Sequence, residues 1–136
     1  KLQEKYKNIE MVLVKNTDWL TCQKIKVNCD ILFDQFLSYG STCLESWCFG
    51  YPAVTGTDDR VENLIKSTLG YLPYVKATET NLYDVLENLV LDESFRKEMG
   101  KLGRKYVETW HSYKFVADRA IDLYNEAIEL RKIKPH

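Results

Sequence analysis

The sequence predicts an α/β domain, with a partial doubly wound, mostly parallel sheet, helices on both faces and a C-terminal helical tail. Three observations carry this expectation. Short apolar runs at Met11–Val14, Cys29–Phe33 and Ala53–Thr55 alternate with segments of helical periodicity. Those runs lack the in-and-out alternation of a half-solvated sheet, so they read as strands buried on both faces, as parallel strands are. From Leu82 onward only helical spacing remains.

Taken in order, Leu2, Tyr6 and Ile9 follow helical spacing, so the chain enters on the tail of an amphipathic helix. Met11-Val12-Leu13-Val14 suits a buried strand. Asp18 is placed to cap a helix running to about Val27. The next unit is the one around which the rest is organised: strand Cys29–Phe33, a loop holding Ser38, Tyr39 and Gly40, a short helix, and strand Ala53–Thr55. Thr42 and Glu45 stand three apart, the spacing of a capping box. Gly50, with Pro52 two residues on, stops that helix.

Beyond Thr55 a polar loop, Gly56–Arg60, leads to a short helical face of Val61, Leu64 and Ile65 that Gly70 ends. Leu72–Val75 is extended, and Pro73 marks it as an edge strand or connector. Thr80 or Asn81 opens a helix on Leu82, Val85, Leu86 and Leu89. Asp92 opens another on Phe95, Met99, Leu102 and Tyr106. Gly100 and Gly103 interrupt that helix at about 1 kcal/mol each relative to alanine, which implies close packing against a neighbour. Ser112 caps the last helix, whose face is Val116, Ala120, Leu123, Ala127 and Leu130.

The 136 residues make one domain, large enough for a core without covalent staples. An apolar content of 45% and a charged content of 29% place the chain outside the disordered and membrane-embedded classes. A net charge of −1 argues against a nucleic-acid binder. Cys22, Cys29, Cys43 and Cys48 form no C-x-x-C pair and read as small apolar residues in a reducing, cytoplasmic setting. No metal site is expected, because His111 and His136 lie far from the cysteines in sequence. His111 reads as a packing or turn residue, and Trp19, Trp47 and Trp110 as core or interface residues. The start on Lys1, in mid-helix, reads as a piece of a longer protein.

A helix opening just past the carboxyl end of a parallel strand aims free backbone N–H groups at a crevice, a general place for a phosphate. Ser38, Tyr39, Gly40, Ser41 and Thr42 form that turn, and Glu45 lies one turn further along. For Glu45, capping the helix and binding a ligand hydroxyl weigh about equally. Thr55 and Gly56 form a second loop on the same rim.

With those residues set out, the chain from Cys29 to about Arg131 resembles the C-terminal, nucleotide-sugar-binding domain of GT-B glycosyltransferases, in the large retaining family typified by sucrose synthase and bacterial mannosyltransferases. The stretches that carry the resemblance are Cys29–Gln35, Ser38–Glu45, Phe49–Val54, Leu82–Asp92, Arg96–Arg104 and Tyr106–Ser112. The resemblance implies a Rossmann-like fold and a donor nucleoside diphosphate sugar, with no separate cofactor and no metal. It places Gly40 and Ser41 against the diphosphate and Glu45 on the ribose hydroxyls. The family's other glutamate, on the donor sugar, corresponds to Leu37 here. No catalytic residue is assigned.

The implied chemistry is electrostatic: aligned N–H donors and a helix N-terminus stabilise the charge that grows on the leaving diphosphate. The acceptor would come from a separate N-terminal domain of the same protein, so the chain would be the donor-binding half of a two-domain enzyme. Arg131, Lys132 and Lys134 would give a peripheral contact with an anionic membrane surface. The alternative that Leu37 raises is a catalytically inert α/β module used for protein–protein contact. A flavodoxin-like phosphoacceptor domain is disfavoured, since Lys15 and Asn16 stand where an acidic cluster would end the first strand.

Overall fold

A computed structural model describes residues 1–133 of the chain. Lys134 and His136 lie outside the described residues. Within them, a parallel sheet of order β1-β2-β3 is built from Leu32–Phe33, Ala53–Thr55 and Val75–Lys76. Leu32 pairs with Ala53, and Val54 with Val75. Seven helices surround it: α1 (Leu2–Lys5), α2 (Trp19–Lys26), α3 (Ser41–Phe49), α4 (Asp59–Leu69), α5 (Leu82–Leu91), α6 (Glu93–Trp110) and α7 (Tyr113–Ile133). The class is therefore mixed α/β, with all strand pairs parallel.

The central strand explains the layering. Ala53 and Val54 are both fully buried and, as neighbours in a strand, point to opposite faces. Ala53 joins Cys43, Trp47, Ile65, Tyr74, Tyr106 and Val107 from α3, α4, the β3 approach and α6. Val54 joins Ala77 and Leu89, with Phe36, Val85, Leu86 and Phe95 against them. Apolar clusters thus lie on both faces of a narrow sheet.

Helix ends follow the local chemistry. Asp18, Asp58 and Asp92 each accept backbone N–H bonds at the starts of α2, α4 and α6. Gly50 and Gly70 close α3 and α4 in the left-handed region, at φ 79° and 76°. The Ser112 hydroxyl accepts the Phe115 N–H at the start of α7.

Three expectations are corrected. Met11–Val14 forms no strand, and Met11 and Leu13 are 72% and 69% exposed. A β-prone run becomes a strand only where a neighbour supplies the hydrogen-bond ladder. The strand expected over Cys29–Phe33 begins at Leu32, because Cys29 is held in the turn after α2, its N–H donating to Lys26 O at 3.1 Å. The capping box of Thr42 and Glu45 does not form, since α3 starts at Ser41 with Gly40 as its cap. Thr42 then falls inside the first turn, and Glu45 faces α2 instead. Pro73 keeps the third strand short, and pairing begins at Val75.

Candidate functional site

The rim at the carboxyl ends of β1 and β2 is built by a loop that the sheet holds from below. The Gln35 carbonyl accepts the Gly56 N–H at 2.8 Å and the Thr55 hydroxyl at 2.8 Å. The same hydroxyl lies 3.1 Å from the Ser38 carbonyl. Above these bonds the Gln35 side-chain amide donates to Ser38 Oγ at 3.3 Å. Thr55 is fully buried, and a Cβ on Gly56 would meet the Phe36 carbonyl oxygen at 2.0 Å. Thr55 and Gly56, expected on the ligand's side of the rim, are the clamp beneath the loop.

Tyr39 turns inward. Its hydroxyl pairs with that of Tyr106 at 2.9 Å, and its ring packs at 5.6 Å from Trp47 and 6.1 Å from Tyr74. Burial, then the hydrogen bond to Tyr39, push the Tyr106 phenol well above its ordinary range. The Tyr106 hydroxyl stays protonated, and the pair serves packing. Ser38 and Ser41 remain exposed on the rim, with Thr42 half-buried between them and the core.

The head of α3 has no side-chain cap. Its Gly40 carbonyl accepts from Cys43 at 3.1 Å and Leu44 at 3.3 Å, so the helix hydrogen bonds begin there. The Gly40 N–H itself donates to Asp34 Oδ2 at 3.1 Å. That carboxylate also lies 3.5 Å from Cys43 Sγ, and burial together with Asp34 pushes the Cys43 thiol up to about 12. Among the described residues the N–H groups of Ser41 and Thr42 have no acceptor. Two amides at a positive helix end are therefore free to meet an anion, while a third is held by the chain's own carboxylate.

One turn along, Glu45 forms an ion pair with Lys26 of α2. Partial burial pushes the Glu45 carboxyl up, but donors from Lys26, Gln23 and Trp19 together with the Lys26 charge outweigh it and hold the group below its usual range. Glu45 and Ser41 border an open hollow of about 570 Å³ between α2, α3 and α6, walled also by Leu44, Val107 and Arg104. His111 lines its far side, its ring 5.1 Å from that of Tyr106, and burial lowers its imidazole below the ordinary value. Leu37 stands at the loop tip, 84% exposed.

The structure thus brings Gly40, Ser41, Thr42 and Glu45 together along α3, keeps Ser38 beside them, and withdraws Tyr39, Thr55 and Gly56 into support. Sequence reasoning missed Asp34 and Lys26. Asp34 accepts from an amide six residues ahead, beyond the two-residue reach of an aspartate turn, so no local spacing marked it. Lys26 gave no signal, because its pairing with Glu45 depends on how α2 packs. Among the described residues no helix is long and apolar enough to cross a membrane, and no acidic, histidine or cysteine cluster suits a metal. Compared with known proteins, the chain matches no family description, no curated protein and no solved structure.

Proposed function

We propose that the chain is the donor-binding half of a nucleotide-sugar-dependent, retaining, metal-independent glycosyltransferase of GT-B type, working on a Rossmann-like, doubly wound framework larger than the three strands. The observation that carries this is the uncapped head of α3 at the carboxyl end of a parallel β-α-β unit. The Ser41 and Thr42 amides would take the diphosphate of the donor, which is a substrate, with no further cofactor. Glu45, which does not form the capping box and pairs with Lys26 instead, would hold the ribose hydroxyls. Its ion pair with Lys26 fixes the carboxylate in place and keeps it ionised, ready to accept hydroxyl donors. The acceptor and the other half of the site would come from an N-terminal domain, and Arg131 and Lys132 would support peripheral contact with an anionic membrane on the cytoplasmic side.

As leaving-group charge grows, two fixed N–H dipoles and the positive helix end stabilise it without reorganising. Titration with UDP, GDP and ADP under thermal denaturation tests the reading. A ligand at about a hundredfold its dissociation constant adds about 2.7 kcal/mol of stability, so one of the three should raise the melting temperature by several degrees. No shift with any of them at millimolar concentration sinks it.

A second reading, the inert interaction module, is favoured by the exposed apolar Leu37 at the loop tip and by the apolar side of α7.

A further inference from the structure

Helix α7 holds more of the exposed large apolar side chains than any other element of the described residues. Val116, Leu123 and Leu130 are 52%, 49% and 63% exposed, and Tyr113, Ile121, Tyr124 and Ile128 are exposed as well. Near its start Phe115 packs edge-on against Trp110 at 5.3 Å. Contiguous apolar surface of this kind marks an interaction site in a soluble domain.

The pattern says what fits it. Tyr113, Val116, Ala120, Leu123, Ala127 and Leu130 recur at alternating spacings of three and four, the a/d seam of a helix pair. A parallel self-pair would set Ala120 and Ala127 each against its own copy and leave gaps. An antiparallel pair sets Ala120 against the partner subunit's Leu123, Ala127 against the partner subunit's Val116, and Tyr113 against the partner subunit's Leu130. Small faces large in the Ala120 and Ala127 layers, which is how a seam fills, and Tyr113 lies against Leu130 at the two ends. The flanks agree. The same alignment puts Arg119 beside the partner subunit's Glu126, twice by symmetry, and lays Tyr124 over the partner subunit's Ala117. Arg119 and Glu126 approach to only 3.9 Å within one helix, with both side chains more than half exposed, so both are available to a second copy.

From this self-complementarity we infer that the chain forms a homodimer through antiparallel pairing of α7 with α7 of a second copy. The interface is isologous, so it closes at two subunits. This inference is independent of the donor-binding reading.

The test is mass by light scattering after gel filtration, with circular dichroism confirming that every variant is folded. The chain should elute at twice its monomer mass at tens of micromolar. Leu123→Asp should give the monomer, while Asp122→Lys, on the opposite side of the helix, should leave the dimer intact. Arg119→Glu opposes like charges across the seam and should weaken dimerisation by roughly tenfold. Adding Glu126→Arg to it should restore the dimer. A wild-type chain that stays monomeric at 100 μM, or a double charge swap that fails to restore a dimer lost in the single variant, overturns the proposal. A dimer that survives Leu123→Asp overturns it too.

Discussion

Gly100 of α6 runs so close to the end of α3 that a Cβ built on it would stand 2.0 Å from the Gly50 carbonyl oxygen. One helical turn on, a Cβ on Gly103 would meet Trp47 Cδ1 at 2.1 Å, and Trp47 is fully buried. Neither neighbour can yield cheaply, one being backbone and the other a rigid ring locked between Tyr39 and Tyr106. Alanine would gain about 1 kcal/mol in helix propensity, against an overpacking cost of about 1–3 kcal/mol or more. We expect Gly100→Ala and Gly103→Ala each to destabilise the domain, read as a lower urea midpoint with an unchanged slope. A midpoint equal to or above wild type would show that α3 and α6 do not approach this closely.

Thr55 makes a second sharp case. Valine keeps its shape but removes the hydroxyl shared between the Gln35 and Ser38 carbonyls. Both acceptors sit above a buried strand, so Thr55→Val should cost about 1–3 kcal/mol, and Thr55→Ser should recover most of it. Denaturant titration of the pair decides this. Equal stability of Thr55→Val and wild type would mean that the hydroxyl does not hold the loop.

Much of this architecture was legible in the chain. Asp18, Asp92 and Ser112 cap where their chemistry predicts, and Gly50 and Gly70 stop helices as glycines do. The tight fit at Gly100 and Gly103 was visible because nothing else accounts for two glycines inside a helix. What failed were readings that depend on a partner distant in sequence. Met11–Val14 has the composition of a strand but no neighbouring ladder among the described residues. Thr42 and Glu45 have capping-box spacing, yet Gly40 precedes them and takes the cap, and Glu45 answers to Lys26, nineteen positions earlier. Thr55 reads as a rim residue from its position at a strand end, but its side chain points beneath the loop.

Acid stability should report on Glu62. This residue is buried on α4, where its carboxylate accepts from Lys66 at 2.6 Å and also from Lys76. The Lys66 and Lys76 ammonium groups hold its carboxyl below the usual range, against a smaller opposing effect of burial. A depressed folded value means that the stabilisation is complete above the unfolded carboxyl's pKa, about 4.3, and is lost as pH falls through the lower folded value. Glu62→Gln should therefore be less stable than wild type by about 1 kcal/mol near neutrality, and the gap should close on acidification below that range. A gap that stays constant from pH 7 to pH 3 would assign the loss to packing instead of charge.

The head of α3 allows stability and ligand binding to be separated at one residue. Gly40 has φ −118°, which any residue adopts, and a Cβ there would make only ordinary contact with Asp34 Oδ2 at 3.5 Å. Its conformation therefore does not demand glycine. Aspartate at a helix cap accepts from the first-turn amides, and replacing glycine gains a few tenths of a kcal/mol. The proximity of Asp34 offsets part of that gain through like-charge repulsion. Gly40→Asp should then fold with a melting temperature within a few degrees of wild type, while its new carboxylate takes the amides that the diphosphate would use. Nucleoside diphosphate affinity should fall at least about tenfold, the scale of a lost charge-assisted hydrogen bond. Gly40→Ala, which adds bulk without an acceptor, should bind nearly as wild type does. If Gly40→Asp binds as tightly as Gly40→Ala, the phosphate does not sit on α3, and donor binding must be sought elsewhere on the rim.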